Sequence, residues 1–87
     1  MTNNEIQSQF ERTENGLLAF ADYRAHGGRY VVTHVEAEPA LRGTGATSRL
    51  MEDIVAFART NDARIVPRCS YAVAWFKRHK DAGDIIG

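Results

Sequence analysis

Ala40-Leu41-Arg42-Gly43-Thr44-Gly45-Ala46-Thr47-Ser48-Arg49-Leu50 divides this chain into two kinds of sequence. Before it lie short runs rich in β-branched and aromatic residues; after it begins a helical repeat. Glycine lets a backbone turn sharply and lets a ligand come close. The first turn of a helix offers unpaired N–H groups and the positive end of a dipole. Together they suit a phosphate or pyrophosphate group. The same residues also fit a plain strand-to-helix turn with no ligand.

Working backwards, Arg29-Tyr30-Val31-Val32-Thr33-His34-Val35 has the strongest strand composition in the chain. Pro39 ends it, since proline cannot donate to a ladder and holds Glu38 extended. Ala25-His26-Gly27-Gly28 predicts a turn, preceded by a strand over Leu17 to Arg24. Asn15-Gly16 predicts a hairpin turn, because both residues tolerate positive φ. A further strand is expected over Ile6 to Arg12, with residues 1–5 loose. These runs predict an antiparallel meander.

Working forwards, Leu50, Met51, Ile54, Val55, Phe57 and Ala58 recur at helical spacing, which predicts a helix from about Ala46 to Thr60. Asn61-Asp62 stops it, and Arg64 to Cys69 reads as a fourth strand. A strand, helix, strand order implies a right-handed crossover and one parallel pair. Ser70 is expected to cap a second helix over Tyr71 to about Lys80, with Ile85-Ile86 docking as an extended tail. The expected class is α+β, an α/β sandwich. Its sheet has about four mostly antiparallel strands with one parallel pair, and it has two main helices. The 87 residues suffice for a single domain.

Composition removes several function classes. Eleven basic and eleven acidic residues cancel, so no global field favours nucleic acid or an anionic membrane. Cys69 is the only cysteine, which excludes an internal disulfide and a cysteine-rich zinc site and fits a reducing compartment. No histidine or carboxylate spacing argues for a metal. No apolar run approaches the roughly 20 residues needed to span a bilayer, and the N-terminus lacks a signal-peptide core. The expectation is a cytoplasmic protein, a monomer or weak dimer.

The glycine turn fails two familiar tests. A Walker A loop needs a lysine after its last glycine, and none follows Gly45. The dinucleotide fingerprint needs a third glycine where Ser48 stands. Arg42-Gly43-Thr44-Gly45-Ala46-Thr47 instead resembles the Arg/Gln-x-x-Gly-x-Gly/Ala signature of the GNAT acetyltransferase superfamily. Thr47 occupies the final small-residue position. The likeness continues through Thr33-His34-Val35-Glu36, Val66-Pro67-Arg68-Cys69-Ser70-Tyr71 and Trp75-Phe76-Lys77-Arg78-His79, over roughly residues 8–80. This looks like the small, single-domain YjdJ-type branch. Where that branch continues after His79 with Pro-Glu-Tyr, this chain has Lys80-Asp81-Ala82.

The resemblance implies acetyl-CoA as cosubstrate and transfer of its acetyl group to an unidentified amine. It assigns the pyrophosphate to the turn, over Arg42, Gly43, Thr44, Gly45, Ala46, Thr47 and Ser48. It places backbone N–H groups around His34, Val35 and Glu36 at the thioester carbonyl, like an oxyanion hole. Arg49 and Arg78 are further candidates for the nucleotide phosphate. Cys69 stands where similar proteins carry a cysteine beside the thioester, at a helix start that favours thiolate chemistry. It accepts the acetyl group or lines the pocket. Tyr71 is the candidate proton donor to the departing thiolate, and Glu36 or Glu38 the candidate general base. The alternative is a CoA-binding or CoA-sensing module without turnover. That alternative arises because the chain lacks the helices that usually precede the third strand in larger members.

Overall fold

The computed structural model describes all residues, Met1–Gly87. Five strands form one sheet in sequential order: β1 (Thr2–Asn4), β2 (Gln9–Glu14), β3 (Leu17–His26), β4 (Arg29–Ala37) and β5 (Arg64–Pro67). The first four run antiparallel, and β4 pairs with β5 in parallel. Helix α1 (Ala46–Thr60) makes the crossover and α2 (Ser70–Arg78) follows β5. Short 3-10 helices cover Pro39–Leu41 and Lys80–Ile85.

The expected hairpin turns form. Asn15 and Gly16 both have positive φ, at 52° and 74°, as a two-residue turn matched to strand twist requires. The N-terminus departs from expectation in two ways. Residues 1–5 are not loose: Thr2–Asn4 pair with Gln9–Glu11 as an edge strand, which makes five strands rather than four. The run from Ile6 turns instead of extending. Ile6 is 98% exposed, and the Asn4 side chain accepts the Gln7 N–H at 3.2 Å, closing the turn locally. An isolated isoleucine with no core partner cannot hold a strand in place.

Both helices lie on one face of the sheet. The Phe57 ring of α1 packs edge-on to Phe10 and Tyr30, with centroids 5.2 and 5.4 Å away. The Trp75 indole of α2 donates to Ser48 Oγ of α1 at 2.9 Å. Leu50, Met51 and Ile54 are fully buried, so the apolar stripe read from the sequence is the face that meets the sheet. The opposite face carries Glu11, Phe20, Asp22, Val31 and Glu36, and none of these side chains is buried.

At its C-terminal end the chain differs again from expectation. Cys69, not Ser70, is the N-cap of α2, and its Sγ accepts the Ala72 N–H at 3.4 Å. The expected extended tail is a 3-10 helix over Lys80–Ile85; only Ile86 bridges to Ile65.

Candidate active site

Two irregularities in β4 shape the site. Its register to β3 shifts between Asp22 and Tyr23: Asp22 faces His34, but Tyr23 faces Val32. Thr33 is therefore an extra residue, a β-bulge, with its Oγ1 donating to the Asp22 carbonyl at 3.4 Å. Bulges re-aim whatever follows them. Beyond it, Glu38 donates its N–H to Leu18 O at 2.9 Å. An antiparallel ladder alternates, so His34 and Glu36 also direct their N–H groups to β3. Val35 and Ala37 direct theirs away, toward β5.

There β5 is missing. Its pairing with β4 ends at Val32 opposite Pro67. The Val32 carbonyl accepts from Arg68 N–H at 2.9 Å and Cys69 N–H at 3.3 Å, and the two strands then part. Cys69 stands at this fork, half-buried. The Val35 and Ala37 amides face the gap that opens beyond it.

A cavity of about 400 Å³ occupies this end of the molecule, lined by Val35, Glu36, Ala37, Arg42, Gly43, Thr47 and Tyr71. The fold thus brings together six of the side chains and backbone positions singled out in the sequence: Val35, Glu36, Arg42, Gly43, Thr47 and Tyr71. Tyr71 enters from the first turn of α2, and Thr47 from the first turn of α1.

The glycine turn is built by its own chemistry. Gly43 and Gly45 have φ of 77° and 88°, and Gly45 is the N-cap of α1. The Thr44 hydroxyl donates to Leu41 O at 2.5 Å and accepts the Ala46 N–H at 3.3 Å. Arg49 N–H returns to Gly45 O at 3.0 Å. The N–H groups of Gly43, Gly45, Thr47 and Ser48 donate to nothing in the chain. Arg42 is exposed and has no carboxylate partner. Four free amides at a helix start and an unpaired guanidinium fit a pyrophosphate group.

Other expected residues lie elsewhere. Ala46 is buried, and the Ser48 hydroxyl is taken by Trp75. His34 projects from the uncovered sheet face, 53% exposed, with Nε2 3.2 Å from Glu36 Oε1. The Glu38 carboxylate accepts the Leu18 N–H at 2.6 Å. Arg78 is exposed on α2. Arg49 turns to Glu14, bonding its two oxygens at 2.7 and 2.8 Å.

Sequence reading missed two residues here. Ala37 lines the cavity because the bulge re-aims β4, and a one-residue bulge leaves no mark in composition. Glu14 holds Arg49 and also accepts from Arg12 Nε at 2.6 Å. Arg49 first, then Arg12, holds the Glu14 carboxyl down at about 2, well below the ordinary carboxylate value. The Arg49 and Arg12 guanidiniums are shifted upward in turn by the same carboxylate. Thirty-five residues separate Glu14 from Arg49, so no local signal announces the pair.

The sequence that builds this site matches a known protein family. A family model described as GCN5-related N-acetyl-transferase matches residues 8–85. The chain belongs to that family. A comparison with curated proteins finds no match. Membership makes the chain an N-acetyltransferase by family, with the small mixed sheet and crossover helix expected of it. No helix of the acetyltransferase is long and apolar enough to cross a membrane. No group of three or more histidine, cysteine or acidic side chains converges as a metal site.

Proposed function

We propose that the chain uses acetyl-CoA to acetylate an amine, with one domain supplying the whole site. The observation that carries this reading is the fork between β4 and β5. It leaves two strand amides facing a cavity whose far wall is a glycine turn with four free N–H groups.

The Gly43, Gly45, Thr47 and Ser48 amides and the Arg42 guanidinium hold the pyrophosphate. The Val35 and Ala37 amides donate to the thioester carbonyl, where negative charge develops as the amine adds. Of the three strand amides expected at that carbonyl, Val35 is kept, Ala37 takes the place of His34 and Glu36, and Glu36 stays at the cavity wall with its carboxylate beside His34. Glu36 takes the amine proton directly or through His34, 3.2 Å away. Tyr71, in the cavity wall, gives a proton to the departing thiolate. Cys69, at the fork, either lines the path of the thioester or accepts the acetyl group before the amine does.

Incubation with isotopically labelled acetyl-CoA and a panel of primary amines tests the reading, with mass analysis of products and protein. Labelled N-acetyl product is expected. Backbone shifts at Gly43 to Ser48 without product would favour a CoA-binding module; no response to millimolar CoA would overturn both.

A further inference from the structure

A second cavity, of about 390 Å³, opens at the β5 edge of the sheet. Pro67 of β5, Val73 and Phe76 of α2, and Ile86 form its apolar walls. It shares no residue with the cavity at the glycine turn. The strand explains why it stays open. Arg64 and Arg68 direct their N–H groups to Gly28 O and Val32 O, so Ile65 and Pro67 face the outer edge. Ile65 is covered there: it bridges to Ile86, and its carbonyl accepts the Gly87 N–H at 3.0 Å. Pro67, the next outward residue, has no N–H, so an added strand or extended peptide finds no ladder to join. Ile86 is left 42% exposed beside it.

Two ionisable side chains stand at this cavity, and both are cations. Lys77 lies in the last turn of α2, and Lys80 opens the 3-10 helix that follows. Both are exposed, and neither has an ion-pair partner. The carboxylates close to them in sequence are engaged elsewhere. Asp84 is held by Arg59 at 2.8 and 3.1 Å, and Asp81 lines a different hollow beside Trp75 and His79. Apolar walls with a few polar groups at one side are the makeup of a small-molecule site.

We propose that this cavity binds an amphipathic monocarboxylate. Its chain lies against Pro67, Val73, Phe76 and Ile86, and its carboxylate meets Lys77 and Lys80. A neutral apolar ligand leaves both ammonium groups unused, and an amine meets like charge. A phosphate dianion is the poorer fit. Lys77 stands at the C-terminal end of α2, where the dipole is negative and no unpaired helix N–H is presented. The head group is therefore held by two ammonium groups alone, which balance a single negative charge against the helix end.

Titration of the intact chain with butanoate, hexanoate, octanoate, octan-1-ol and octyl phosphate, followed by backbone and methyl NMR, tests this. Octanoate is expected to bind saturably with a dissociation constant on the order of 0.1–1 mM, as about ten heavy atoms allow. Affinity is expected to rise about threefold for each added CH₂ as the chain is buried. Shifts are expected at Val73, Phe76, Lys77 and Ile86 and not at Gly43 to Ser48. Octan-1-ol, with the same chain and no charge, is expected to bind about fivefold more weakly, since the ion pairs are exposed. Lys77→Gln/Lys80→Gln is expected to lower octanoate affinity to that of octan-1-ol and leave octan-1-ol unchanged, which a misfolded variant could not do. Affinity that does not depend on chain length overturns the proposal, because it reduces the contact to surface ion pairing. So does equal binding of octanoate and octan-1-ol by the wild-type chain, tighter binding of octyl phosphate than of octanoate, or a set of shifts confined to the glycine turn.

Discussion

Arg49 grips both oxygens of Glu14 while the same Nη2 donates to the Thr44 carbonyl at 3.1 Å. A strand end is thereby tied to the glycine turn through one guanidinium. Glu14→Gln keeps the shape but removes the charge that positions Arg49. CoA affinity, followed by titration calorimetry, is expected to fall about three- to tenfold, with the Tyr71→Phe variant as a reference for changes outside the turn. Unchanged affinity would mean the turn holds itself.

The same carboxylate sets an acid limit. Its folded value, about 2, lies below its ordinary 4.5. A depressed carboxylate contributes stability that is full above its unfolded value and lost as pH falls through the folded one. Wild type is therefore expected to lose stability between about pH 4.5 and 2 through this group, while Glu14→Gln lacks that component. Glu14 is 19% exposed and its arginines more so, so solvent screening keeps the effect modest. Urea midpoints measured at pH 6 and pH 3 check the difference.

Gly43 and Gly45 separate backbone strain from steric contact. Both have positive φ, which costs an alanine about 1–2 kcal/mol. A Cβ at Gly43 meets nothing within 4 Å, whereas one at Gly45 lies 3.0 Å from Arg49 Nη1. Gly45→Ala is therefore expected to lower Tm more than Gly43→Ala and to disturb the Arg49–Glu14 pair as well. Equal losses in the two variants would show that Arg49 yields freely.

Cys69 has two separable duties. As N-cap its sulfur accepts one N–H of α2, and Cys69→Ala is expected to cost about 0.5–1 kcal/mol. Serine caps at least as well, so Cys69→Ser keeps or raises Tm. If the thiol accepts the acetyl group, both variants lose transfer by 10²-fold or more. If it only lines the path, Cys69→Ser retains most of it. Acetylation assays beside thermal melts distinguish these outcomes.

What was legible in the sequence follows from how far each signal reaches. The stripe from Leu50 to Ala58, the Asn15-Gly16 turn and the order of strand, helix, strand are local patterns, and the elements they imply all formed. Arg42 and the glycines were visible because a turn of that kind requires those residues. Thr2–Asn4 was not visible: its composition is that of a loop, and it becomes a strand only because β2 offers an unpaired edge. The direction of the strand amides was hidden too. Alternation predicts it only in an unbroken strand, and Thr33 breaks the count.

That extra residue gives β4 a change of parity. Odd and even positions trade places at Thr33, so the strand's lower half keeps Tyr30 and Val32 against the helices while its upper half keeps Val35 and Ala37 there. Removing Thr33 would restore a single parity and set two demands against each other. Either the valine and alanine leave the helices, or the upper half slips by one place against β3. The insertion thus lets one strand obey two different readings of the same two-residue frame, and the join between them lies beside the fork.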